Sequence, residues 1–171
     1  MPKLTGCLLV TMGCIGFAGS ICRDTARRLL LMKRIRNIYE NLKYYIAYQK
    51  TTVPEALFQL SQKEEAPLAE AFGAVYRECY EDGGDFSGLW RFHMERALEK
   101  TPLTVKEKEL FYAFPSCLGF MEENAQAAAV DNLLREVERC VEALEAERKN
   151  KDRVVMSLGA AFGVLLSILL L

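Results

Sequence analysis

The 171 residues are 51% hydrophobic and carry a formal net charge of −1. That length suits one domain, and so small a net charge excludes a protein that works by blanketing nucleic acid with basic surface. The balance conceals a sorting of charge along the chain.

Leu4 to Cys22 is a run of 19 residues without a charge, and Val154 to Leu171 is another of 18. As helices these reach ~27–28 Å, close to a hydrocarbon core of roughly 30 Å. The 131 residues between them hold all 23 acidic side chains and 21 of the 22 basic ones. Arg23 to Lys50 has eight basic and two acidic residues, +6; Thr51 to Glu147 has nine and twenty, −11; Arg148 to Arg153 has four and one, +3. Positive charge thus borders the inner side of both apolar runs, through Arg23, Arg27 and Arg28 after the first and Arg148, Lys149, Lys151 and Arg153 before the second. Basic residues mark the cytoplasmic side of a span. The expectation is two transmembrane helices, 4–22 and 154–171, bracketing a cytoplasmic domain over 23–153, with both termini outside. A core helix in place of either span would need a polar face, which neither run has. Cys7 in "LTGC" imitates a lipoprotein site, but its apolar run follows instead of preceding it. A secretory cut near Ala18 to Ser20 is opposed by the basic cluster behind it.

The intervening domain reads as all-α. No glycine or proline interrupts the chain from Ser20 to Val53, and Leu31, Ile35, Ile38, Leu42 and Tyr45 recur at helical spacing. The first span therefore continues into a long helix, ended by "TTVPE", where Thr51 or Thr52 caps a short helix near Pro54 to Gln62. A third helix covers about Pro67 to Glu81, with Leu68, Phe72, Val75 and Tyr76 on one side. "EDGGD" breaks the chain at Glu81 to Asp85. A fourth follows over about Phe86 to Lys100, presenting Leu89, Trp90, His93 and Leu98. Thr104 with Glu107 forms a capping box for a fifth, which carries Val105, Leu110, Phe111 and Phe114 and is limited by Pro115 and Gly119. The sixth runs from near Glu122 into the second span, with Val130, Leu133, Val137, Val141 and Leu144 as its stripe. The stripes of the first and last helices can zip together antiparallel.

Chemistry-bearing patterns are few. His93 is the sole histidine, and its plainest reading is a half-buried helix residue. "GGD" at Gly83 to Asp85 is a turn, since a phosphate loop needs a lysine that is missing. Glu64–Glu65 and Glu122–Glu123 read as solvated. Cys7, Cys14, Cys22, Cys79, Cys117 and Cys140 form no C-x-x-C pair and no zinc pattern. No catalytic residue, cofactor or metal is expected, nor is nucleic acid, given the acidic stretch. Gly16 with Ser20, and Gly159 with Gly163, have the small-x-x-x-small spacing that lets two spans approach closely. From the residues alone this is a membrane-tethered helical docking protein.

Four stretches carry a resemblance: "PKLTGCLLV" at Pro2, "RNIYENLKYYIAYQKTTVPEAL" at Arg36 to Leu57, "LFYAFPSCLGFMEENAQ" at Leu110 to Gln126, and the closing "SLGAAFGVLLSILLL". Leu118, Gly119 and Gln126 match the middle motif, and Leu158, Gly159 and Gly163 the tail. In this order the chain resembles the stage III sporulation protein AB family of endospore-forming bacteria. It departs from the pattern at Thr52-Val53-Pro54, and at Pro115, where the family keeps helix. The resemblance implies a multi-pass protein of the mother-cell membrane facing the forespore, with a domain similar to platform protein F of type II secretion and type IV pilus systems. It implies a non-enzymatic platform or coupling subunit of a secretion-like channel. Its partners would be a cytoplasmic secretion ATPase, other membrane subunits and the bilayer. The rival reading is a two-span regulatory adaptor of a membrane enzyme. The topology is testable: a membrane-impermeant thiol reagent on intact cells should leave Cys79, Cys117 and Cys140 unlabelled, and labelling of any one would place the domain outside.

Overall fold

The computed structural model is helical, with no strand among its described residues. It describes the backbone of residues 2–81, 83–118 and 123–170, and side chains within these from residue 23 onward, apart from 80, 81, 123, 124, 156, 160, 163, 164 and 166–170. Six α-helices follow in chain order: α1 Pro2–Lys43, α2 Val53–Lys63, α3 Leu68–Glu81, α4 Phe86–Leu98, α5 Val105–Tyr112 and α6 Glu123–Leu170. They divide into two units. Leu31–Val141 forms one; Met1–Leu30 together with Glu142–Leu171 forms the other.

In the first unit, α2 packs on α3, α3 on α4 and α4 on α5. The end of α1 meets the beginning of α6, where Lys43 Nζ lies 2.5 Å from Asp131 Oδ1. Ile35, Ile38 and Leu42 of α1, and Val130, Leu133, Val137 and Val141 of α6, are buried as their spacing predicts. In the other unit, Leu29 and Leu144 are buried likewise.

The α-helical part of α1 stops sooner than its sequence suggests. At Tyr44–Tyr48 the chain widens into a π turn, in which the Gln49 N–H donates to the Tyr44 carbonyl at 3.2 Å. Lys50, at φ 51°, then reverses the chain in the left-handed manner that closes many helix ends. The turn leaves Tyr45 buried and Tyr44 and Tyr48 outside. Lys63 Nζ donates to the Tyr45 hydroxyl at 2.5 Å and ties α2 to this turn. Thr52 then takes the N-cap position of α2 without a side-chain cap bond, and Pro54 sits in the first turn as expected.

The centre of this unit is the C-terminal end of α5. The capping box forms at its start: the Thr104 N–H donates to Glu107 at 2.8 Å and the Glu107 N–H to Thr104 Oγ1 at 3.4 Å. Eight residues later the helix is over. Pro115 has no N–H, so the Phe111 carbonyl lacks its ordinary helical donor. Two side chains from elsewhere replace it. Trp90 Nε1 donates to the Phe111 carbonyl at 3.1 Å. The Tyr39 hydroxyl donates within reach of both the Leu110 carbonyl, 2.9 Å, and that of Phe111, 3.1 Å. Aromatic rings close over the site: Trp90 lies 4.9 Å from Phe114 and 5.5 Å from Phe111, and Tyr39 5.7 Å from Phe111, centroid to centroid. All four side chains are fully buried.

Some sequence expectations need correction, and others fall outside the described residues. Val105 is not in the core; it is 79% exposed, because it opens α5 beside the capping box and buried Glu107 takes the inward position. Leu31 and Tyr76 are only half-buried, while Tyr39 and Met32 complete the α1 face. Among the described residues no helix is long and apolar enough to cross a membrane. The first apolar run, 4–22, and much of the second lie outside the described side chains, as do Gly16, Ser20 and Gly163.

Tyr39→Phe is expected to cost about 1–3 kcal/mol in urea unfolding, since it strips a donor from buried carbonyls while keeping the ring. Burial holds the Tyr39 phenol well above its ordinary value near 10, with the Cys117 thiol adding to the shift. Above pH ~10 the unfolded chain therefore releases this proton while the folded chain keeps it, so stability falls as pH rises from there. The alkaline decline should be shallower in Tyr39→Phe; an identical decline in both proteins would show that Tyr39 is not its source.

Candidate functional site

Docking chemistry needs exposed groups that the fold has not used. Three surfaces meet that description.

A groove of about 960 Å³ lies along α3 within the Leu31–Val141 unit, flanked by α2 and α4. Asp85 sets the start of α4 by accepting the Gly88 N–H at 2.9 Å. Trp90 points into the core, which turns His93 toward the groove and leaves Phe92 outside. Ala69, Gly73 and Ala97 give the groove its shallow lining, and Phe58, Tyr76, Arg77 and Arg96 frame it. Phe58 and Tyr76 sit ring to ring at 5.2 Å. His93 Nε2 lies 3.0 Å from Glu78 Oε1. That pair bridges α3 and α4 at the groove. The neighbouring Cys79 is no poised nucleophile, because burial, with Glu78 and Asp85 adding, pushes its thiol upward. Burial raises Cys117 as well. Among the described residues no group of three or more His, Cys, Asp or Glu side chains could hold a metal.

The acidic stretch is the second surface, and the fold consumes part of it. Glu64 does not stand in solvent: its side chain is 12% exposed and accepts from Arg34 Nε at 2.6 Å, fastening the end of α2 to α1. Its neighbour Glu65, 86% exposed, takes a looser bond from Arg34 Nη1 at 3.3 Å. Glu122 and the Glu123 side chain lie outside the described residues. Glu95 and Glu109 both hold Arg91, at 2.9 and 2.8 Å, and their hydrogen bonds raise its already high pKa. Among the described residues, Glu55, Glu70, Glu99 and Glu136 are exposed and make no ion pair. With Glu142 they are acid that the fold leaves without an ion pair among the described residues.

The third surface is basic and belongs to the unit of Met1–Leu30 with Glu142–Leu171. It contains Arg23, Arg27, Arg28, Arg148, Lys149, Lys151 and Arg153. Arg148 pairs with Asp152 at 3.6 Å and Lys151 with Glu147 at 2.6 Å. Gly159 lies further along α6, and among the described residues a Cβ added there would meet nothing within 4 Å.

The family model of stage III sporulation protein AB matches residues 3–171. The chain belongs to that family. It is 22% identical over 172 residues to the stage III sporulation protein AB of Bacillus subtilis (strain 168), with both chains covered in full. A solved structure of a stage III sporulation protein AB is similar in fold, with a TM-score of 0.65 and 18% identity over 72% of this chain and 98% of that one. What that structure shares with this chain is the all-helical fold.

Sequence reasoning picked out His93 and the basic flanks. It missed the Glu64 staple, because two adjacent glutamates look the same until one of them meets Arg34. Glu64→Ala should cost about 1–3 kcal/mol in thermal or urea unfolding, against about 0.5 kcal/mol or less for Glu65→Ala. Equal costs would mean that the Arg34–Glu64 contact contributes little.

Proposed function

We propose that this sporulation protein AB family member is a membrane platform subunit of a secretion-like channel between mother cell and forespore. Two spans, 4–22 and 154–171, anchor it, and its helical domain docks a secretion-type ATPase in the mother-cell cytoplasm. The uncharged runs and their basic inner flanks support the anchoring. The resemblance to platform protein F supports the role. In this reading Gly16, Ser20, Gly159 and Gly163 serve contacts between helices within the bilayer.

The observation that carries the docking half is the leftover acid. A domain stretch of net −11 spends several carboxylates on internal staples and still presents Glu55, Glu70, Glu99 and Glu136 unpaired at its exposed surface. Such charge speeds and selects encounter with a basic partner more than it fixes affinity, so the interaction should weaken with salt. ATP hydrolysis would belong to that partner.

The test is affinity purification of the full chain from detergent extracts of sporulating cells. At low salt a secretion-type ATPase should co-purify, and its recovery should drop roughly tenfold in the Glu55→Gln, Glu70→Gln, Glu99→Gln variant. Absence of any such ATPase at low salt would end the docking proposal.

A further inference from the structure

Most charged side chains on these helices have a partner. Arg36 reaches Glu40, Arg91 reaches Glu95, Arg148 reaches Asp152 and Lys151 reaches Glu147, each four residues away on one helix face. Among the cations that make no such pair, four border the two uncharged runs. Arg23, Arg27, Lys149 and Arg153 are exposed and make no ion pair among the described residues.

Their spacing sharpens the point. Arg23 and Arg27 are four residues apart on α1, and Lys149 and Arg153 four apart on α6. Each pair therefore shares a helix face, and like charges at that spacing repel. The carboxylates nearest in sequence do not relieve it: Glu147 and Asp152 are engaged by Lys151 and Arg148, and Asp24 makes no ion pair. Both pairs lie in the same unit, Met1–Leu30 with Glu142–Leu171. Each is followed, on its outer side, by an uncharged run. Setting the orientation of a span needs only a surplus of basic residues near it. Arg135 and Arg139 share that spacing on the domain without an ion pair; what sets the four apart is that both pairs border an uncharged run, where an anionic surface would relieve the repulsion.

We infer that Arg23, Arg27, Lys149 and Arg153 form a binding site for anionic phospholipid headgroups at the cytoplasmic leaflet. The inference rests on the two-span reading, since only there do these residues lie at headgroup depth. An arginine guanidinium can grip a phosphate with two donors, and a lysine supplies a point charge. Each basic residue at an anionic membrane surface strengthens binding by roughly fivefold.

The experiment uses the full chain in nonionic detergent, following thermal unfolding while phosphatidylglycerol or phosphatidylcholine is added. Phosphatidylglycerol should raise the midpoint and phosphatidylcholine should not. In the Arg23→Gln, Arg27→Gln, Lys149→Gln, Arg153→Gln variant the half-saturating phosphatidylglycerol concentration should rise by a hundredfold or more, in line with about fivefold per residue. The same number of substitutions elsewhere, at Arg77, Arg91, Arg96 and Lys106, should leave it unchanged. Equal response to both lipids, or an unchanged quadruple variant, overturns the site. A matching response to inorganic phosphate or to heparin also overturns it, in favour of a soluble anion or a nucleic-acid-like polymer. Carbonate extraction of cell membranes tests the underlying reading separately. Release of the chain there would sink the two-span reading itself, whereas a retained chain without lipid discrimination would sink only the headgroup site.

Discussion

The Phe111 carbonyl is the point on which the folded domain depends. Pro115 removes the donor that a continuing helix would give it, and a buried carbonyl without a partner is costly. Tyr39 of α1 and Trp90 of α4 supply the donors instead. This one requirement draws together three helices far apart in sequence, and it does so with side chains whose rings also fill the core. The exposed tyrosine pair and the acidic surface are displayed from a frame that this junction holds.

Charge has a division of labour here. Carboxylates that end up near the first helix act as fasteners: Glu64 on Arg34, Asp131 on Lys43. Their cost of desolvation is small because each keeps a close cation and some solvent. What remains after fastening is acidic on the domain and basic beside the apolar runs. In the proposed function, one molecule would face a basic partner and an anionic surface without the two attractions competing for the same residues.

Much of the fold was legible from periodicity. The stripes on α1 and α6 needed only apolar side chains at three- and four-residue steps, and Thr104 with Glu107 announced the start of α5. Val105 was misread because its position in the pattern is apolar, while its position in the cap is outermost. Tyr39 was invisible among the tyrosines of "IYENLKYYIAY": nothing local distinguishes a phenol aimed at a carbonyl more than 70 residues away from one in solvent. The groove along α3 was equally hidden, since it is made of small side chains whose meaning comes only from neighbours on α2 and α4. Local chemistry predicts local structure; donors crossing long sequence separations do not announce themselves.

The chain has a single tryptophan, Trp90, and it sits at that junction with its indole N–H engaged. Its emission is thus an intrinsic gauge of one place. Loosening of the α5 end would redden the indole's light before any label is attached. Events confined to the other unit, where the long helices begin and end, would leave it dark to the spectrometer. A disagreement between fluorescence and circular dichroism during unfolding would then mark the boundary between the two units, and not a failure of either instrument.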